Sequence, residues 1–199
     1  MEMIGRTASL ERKTSETDIS LSLNLDGSGK HDIETGVAFF DHMLDAISRH
    51  GLFDLEIKAL GDLEVDAHHT VEDVGIVLGK ALDEALGDRC GITRFGQAII
   101  CMDESLVLAA VDISGRGQLH WDVEVPIEFI GTFDSSLFKE FLIALTSNAG
   151  FTLHVRKLAG ENTHHVIEAA AKATARALAQ AVGLDSRSLE SVPSTKGIL

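Results

Sequence analysis

The motif His-His-x-x-Glu occurs twice in this chain, as His68-His69-Thr70-Val71-Glu72 and as His164-His165-Val166-Ile167-Glu168. Each copy stands at the head of a strongly helical pattern. On a helix the first His and the Glu are i and i+4 and share a face, while the second His points about 100° away from the first. A single ion is poorly placed to take both imidazoles of a pair from one helix. Two ions, each drawing one His from each of two such helices, would use all four without strain. The doubled motif therefore asks for two copies of one helix-bearing unit, with paired metal sites built from both.

The segments leading to the two motifs also match. Glu16-Thr17 opens an alternating run over 18–25, and Glu104-Ser105 opens another over 106–113. Both have the period of two expected of a half-buried strand, and both stop at turn signals, Asp26-Gly27-Ser28-Gly29 and Ser114-Gly115-Arg116-Gly117. Each half continues with a short extended segment and an amphipathic helix, over 37–50 and over 135–148, closing at Gly51 and Gly150. A strand at 53–59 or 151–157 and a turn at Gly61 or Gly160 lead to the His pair and a long helix, over 70–86 or 166–182. The order strand, strand, helix, strand, helix, written twice, predicts an α+β fold. Two sheets with helices on one face of each, related by a pseudo-two-fold, are expected as one compact unit with halves at 1–93 and 94–199.

The repeat extends the ligand list. His42 and Glu140 lie at matching distances upstream of Phe53 and Phe151, on the first helix of each half. If the halves exchange ligands, one site uses His42, His69, His164 and Glu168, and the other uses Glu140, His165, His68 and Glu72. Imidazole and carboxylate without thiolate suit Mn²⁺, Fe²⁺, Zn²⁺ or Co²⁺, and an octahedral ion would keep positions open for substrate or water. The ligands of one site could meet within a chain or across subunits.

Composition limits what such a site can serve. A net charge of −14 argues against nucleic acid or anionic membrane as partner. A small phosphorylated substrate, which needs only a few converging cations, stays open. No apolar run reaches the roughly 18 residues of a membrane span, and the stretch 1–6 lacks the character of a signal peptide. Cys90 and Cys101 fit neither a zinc motif nor a redox pair and read as reduced thiols of a cytoplasmic protein. For the phosphate, Pro193-Ser194-Thr195-Lys196-Gly197 offers hydroxyls, N–H groups and an ammonium, and Arg94 and Arg116 flank a strand. Lys172 falls on the His164 face of the last helix. Glu16, at a strand start, is an acid–base candidate. His31, His120 and His154 read as structural or surface residues.

These residues sit in longer blocks: Arg12-Lys13-Thr14-Ser15-Glu16-Thr17, Phe40-Asp41-His42-Met43-Leu44, Asp66-Ala67-His68-His69-Thr70-Val71-Glu72-Asp73, Met102-Asp103-Glu104-Ser105, Asp112-Ile113-Ser114-Gly115-Arg116, Gly160-Glu161-Asn162-Thr163-His164-His165 and the 193–197 tail. In these blocks, and essentially end to end, the chain resembles the imidazoleglycerol-phosphate dehydratases of histidine biosynthesis. The resemblance implies a duplicated α+β half and pairs of Mn²⁺, two per subunit, bound where subunits meet. It also implies a homo-oligomer of 24 chains built from trimers. By matching position it places metal ligands on His42, His68, His69, Glu72, His164, His165 and Glu168, and the repeat adds Glu140. Substrate contacts fall on Glu16, the segment from His42 to His50, Arg94, Arg116, Lys172, Ser194, Thr195 and Lys196, with His68, Glu72 and His164 also facing the substrate. Position 140 is His in some members, Gly117 replaces a usual Pro, and Ala169-Ala170-Ala171 replaces bulkier residues. The implied reaction is loss of water from imidazoleglycerol phosphate to give imidazoleacetol phosphate; for it we assign Glu16 as the leading acid–base group, partnered by Glu168 or a metal-bound water. Two other readings compete: a dinuclear metallohydrolase of phosphate esters, and a non-enzymatic assembly stapled by metal.

Overall fold

The computed structural model describes residues 5–199. Met1 to Ile4, within the stretch read above for a signal peptide, lie outside the described residues. The first sheet is built from β1 (Thr7–Lys13), β2 (Thr17–Asn24), β3 (His31–Glu34) and β4 (Asp54–Gly61), in the order β1-β2-β4-β3. Strand β2 is antiparallel to both β1 and β4, and β3 runs parallel to β4. The parallel pair needs a crossover, supplied by α1 (Ala38–Gly51); α2 (His68–Leu86) follows β4.

The second sheet comprises β5 (Phe95–Met102), β6 (Ser105–Asp112), β7 (Gln118–Asp122) and β10 (Thr152–Ala159). Its order is β5-β6-β10-β7, with the same senses of pairing as the first sheet. A small hairpin, β8 (Phe129–Ile130) and β9 (Phe133–Asp134), precedes α3 (Leu137–Ala149), and α4 (Thr163–Val182) follows β10. Thus the α+β architecture with two sheets is as expected, with one more strand at the start of each unit than the alternation indicates. Both long helices also begin earlier than expected, so the His pairs lie in their first turns.

Alternation drives the sheets. Ile19, Leu21 and Leu23 of β2 and Val107, Ala109 and Val111 of β6 are buried on one face. Phe40, Met43, Leu44 and Ile47 of α1 and Phe138, Phe141, Leu142 and Leu145 of α3 supply helical stripes to the same continuous core. Helix α2 packs on β1 and β2 and also against α3, while α4 packs on β5 and β6 and also against α1. The helices therefore fill the space between the sheets, and the helix pair α1–α4 joins one sheet's unit to the other's. Helix α3 ends in a left-handed Gly150 as expected, but α1 includes Gly51 and it is Leu52 that takes the left-handed turn.

Close approach sets the position of α4. Its alanines at 169–171, 173, 175, 177 and 181 are buried. A Cβ built on Gly96 of β5 would lie 1.9 Å from the Ala177 carbonyl oxygen. Because the obstacle is backbone, Gly96→Ala is expected to force β5 and α4 apart at a cost of about 3 kcal/mol, measured as a lower midpoint in denaturant unfolding.

Candidate functional site

Helices α1 and α4 lie side by side, and their facing side chains converge. His42 Nε2 is 3.3 Å from Glu168 Oε2, and His164 Nε2 is 3.1 Å from the same oxygen. These three donor atoms all lie within 4.8 Å of one another. The Glu168 side chain is 8% exposed, and its other oxygen, Oε1, accepts from Lys172 Nζ at 2.8 Å. Lys172 thereby fixes the carboxylate with Oε2 turned to the two imidazoles. Burial pushes the Glu168 carboxyl up, but Lys172 and His42 outweigh it and hold it below the ordinary value. The Phe39 ring meets His164 edge-on, 4.9 Å between centroids, and walls the cluster. Two imidazole nitrogens and a buried carboxylate oxygen aimed at one point are donors that a divalent cation fits.

The same face of α1 carries His50 two turns on. Its imidazole is lowered first by burial and then by the charges of Lys172 and Arg176. A strip therefore runs from ligand donors at His42, His164 and Glu168 to cations at Lys172 and Arg176.

On α2, His68 Nε2 lies 3.8 Å from Glu72 Oε2. Glu140 is half-buried on the neighbouring α3. Among the described residues, only the His42–His164–Glu168 trio forms a group of three donors. The second His of each pair faces elsewhere, as its rotation around the helix demands. His69 Nδ1 meets Asp62 Oδ2 at 3.0 Å, with Glu16 Oε2 at 3.9 Å. His165 Nδ1 meets Glu104 Oε2 at 2.8 Å. Each carboxylate raises its histidine's pKa, through Asp62 for His69 and Glu104 for His165. The His165 contact, with the Asn162 N–H, holds the Glu104 carboxyl at about 2. So one chain brings together His42, His164 and Glu168, and does not bring His69 to them, nor His165 to His68 and Glu72.

Asp62 and Glu104 are absent from the residues predicted for the site. Glu104 carried a signal, since it opens its strand as Glu16 opens the first. Asp62 carried none beyond following Gly61.

The cations expected for a phosphate gather around the C-terminal tail. Arg94, in a left-handed conformation (φ 71°), donates through Nε to Asp112 Oδ1 at 2.8 Å and through Nη1 to the Pro193 carbonyl oxygen at 2.9 Å. The chain end at Leu199 lies against Gly115, beside the exposed Arg116. Ser194 accepts at its Oγ from the Lys196 N–H at 3.2 Å, and Thr195 and Lys196 are exposed.

Residues 35–178 match the family model described as imidazoleglycerol-phosphate dehydratase. The chain belongs to the imidazoleglycerol-phosphate dehydratase family. It is a dehydratase. It is 56% identical to imidazoleglycerol-phosphate dehydratase of Desulforamulus reducens, over 99% of this chain and 100% of that one. It is 58% identical to that of Acidiphilium cryptum, over 98% and 100%. The crystal structure of the Staphylococcus aureus dehydratase superposes with a TM-score of 0.82 at 38% identity, covering 90% of this chain and 99% of that chain. That of Pyrococcus furiosus gives 0.83 at 40% identity, covering 96% and 100%. No helix of this dehydratase, among the described residues, is long and apolar enough to cross a membrane.

Proposed function

We propose that this dehydratase removes water from imidazoleglycerol phosphate to give imidazoleacetol phosphate in histidine biosynthesis, with two Mn²⁺ per subunit. The convergence of His42, His164 and Glu168 beside Lys172, in a chain of this family, is the observation that carries the reading. His42, His164 and Glu168 would hold one ion, completed by His69; His68 and Glu72, with Glu140 and His165, would hold the other. Since His69 and His165 face away from these groups, the reading assigns them to sites shared with neighbouring subunits of a 24-chain assembly of trimers. The matching strand order of the two sheets supports reading 1–93 and 94–199 as copies of one unit. A cytoplasmic location goes with this function.

If bound, the metal would supply Lewis acidity toward the imidazole ring of the substrate, stabilising charge on the ring as the hydroxyl leaves the carbon attached to it and the C–H on the following carbon breaks. The chain's own groups do the rest. Lys172 keeps Glu168 oriented, and its ammonium and His50 line the strip where the triol chain would lie. Glu16, exposed at a strand start, takes or returns a proton at its carboxylate. The proton lost from one carbon and the hydroxyl lost from its neighbour leave as one water. Arg94, Arg116, Ser194, Thr195 and Lys196 grip the phosphate with charge-assisted hydrogen bonds.

The test is incubation with imidazoleglycerol phosphate and Mn²⁺, beside a generic phosphomonoester. Dehydration without release of inorganic phosphate is expected. Phosphate release would favour a metallohydrolase, and bound metal with neither product would favour a structural staple. Removing residues 193–199 is expected to raise KM by roughly tenfold or more, about the worth of one charge-assisted hydrogen bond. An unaltered KM would take the tail out of the phosphate site.

A further inference from the structure

Glu16 and Glu104 hold the same place in the two sheets. Each immediately precedes the buried first residue of the second strand, Thr17 in β2 and Ser105 in β6. His69 and His165 likewise hold the same place in the two motifs. If the halves behaved alike, Glu16 would hold His69 as Glu104 holds His165. They differ. Glu104 Oε2 reaches His165 Nδ1 at 2.8 Å, and its Oε1 accepts from the N–H groups of Asn162 (3.0 Å) and Glu161 (3.4 Å) and from Ser105 Oγ (2.9 Å). That carboxylate is fully engaged. Glu16 Oε2 stops 3.9 Å from His69 Nδ1, because Asp62 is already there, with Oδ2 at 3.0 Å and Oδ1 at 3.2 Å. Asp62 is tied in place by its own N–H, which donates to the Glu16 carbonyl oxygen at 3.1 Å.

An ionised carboxylate only accepts, so the ring nitrogen facing it carries the proton, and in the neutral ring the other nitrogen keeps its lone pair. We propose that Asp62 and Glu104 are positioning residues that hold His69 and His165 by Nδ1 and present each Nε2 outward as a metal donor, and that Asp62, by taking this task from Glu16, leaves one free carboxylate on one side of an otherwise symmetric site. The proposal rests on the reading that both histidines ligate a divalent ion. It explains why the two copies of this glutamate differ: Glu16 keeps a free carboxylate, whereas Glu104 is spent on orientation.

Three measurements on the full chain test it. In metal-free protein labelled with ¹⁵N-histidine, at a pH where the rings are neutral, two-bond ¹H–¹⁵N correlations should show His69 and His165 as the Nδ1–H tautomer; the Nε2–H tautomer overturns the proposal without reference to turnover. Mn²⁺ affinity, read from the electron paramagnetic resonance of the free ion, should fall about 10- to 100-fold in Glu104→Gln. It should fall less in Asp62→Ala, where the side chain that accepts from His69 Nδ1 is gone and Glu16 can swing to the freed N–H. Turnover at saturating Mn²⁺ should show the reverse order, with kcat at least tenfold lower in Asp62→Ala than in Glu104→Gln because Glu16 has been captured. Equal effects of the two substitutions on both readouts overturn the division of labour. A wild-type chain that binds no Mn²⁺ instead defeats the metal reading itself.

Discussion

Glu168→Gln is expected to empty one of the two proposed metal sites and to lower kcat by about 10³-fold or more, the scale of several kcal/mol of lost Lewis-acid assistance. The geometry makes the isostere harsher than its size suggests. One oxygen of Glu168 is claimed by Lys172 at 2.8 Å, and the other faces the Nε2 atoms of His42 and His164. Glutamine has a single acceptor end, which Lys172 takes. Its NH₂ then points at the two imidazoles, where it donates to them and offers nothing to a cation. The half-buried Lys172 also loses its counter-charge. In the metal-free protein this should cost about 2 kcal/mol, less than for a fully buried pair because Lys172 keeps some contact with water. Metal analysis of the purified variant should give half the wild-type ratio of ion to chain, and denaturant unfolding should show the stability loss. A variant with the wild-type metal ratio would mean that the ion is not held at this carboxylate.

The residues that carry this prediction were legible in the sequence because their spacing is local. His164 and Glu168 announce themselves as i and i+4, and His42 follows from the repeat. What the spacing does not carry is direction. Nothing in His68-His69 says that His69 turns to Asp62, since that contact closes through the loop after β4. The fold shows the same division. Strands β2 and β6 alternate because one face meets the core and the other does not. Strand β1 has Ala8 as its one fully buried residue and is held at the sheet edge by pairing with β2, so its sequence hardly alternates. In β5 the pattern is inverted: Phe95 and Ile99 face outward, and Gly96 faces inward where α4 presses against it. A strand that buries its smallest residue and exposes its largest defeats a reading based on hydrophobic period.

Glu16→Gln is expected to lower kcat by about 10²- to 10⁴-fold while metal content and KM stay close to wild type. The separation follows from how Glu16 is held. Its backbone is fixed on both sides, the N–H donating to Thr14 Oγ1 at 3.1 Å and the carbonyl oxygen accepting from the Asp62 N–H at 3.1 Å. Neither bond involves the carboxylate. The side chain is 51% exposed, and at 3.9 Å it lies outside hydrogen-bond reach of His69. Substituting the carboxylate by an amide therefore leaves the loop, the Asp62 contact and the orientation of His69 in place, and removes only a group able to take up and return a proton. A structural role for Glu16 would instead show as lost metal or a raised KM. Rapid-quench measurement of a single turnover separates the two, because an acid–base role slows the chemical step itself while substrate still binds. A single-turnover rate equal to that of the wild type would move the proton transfer to another residue, and Glu168 is then the remaining carboxylate at the cluster.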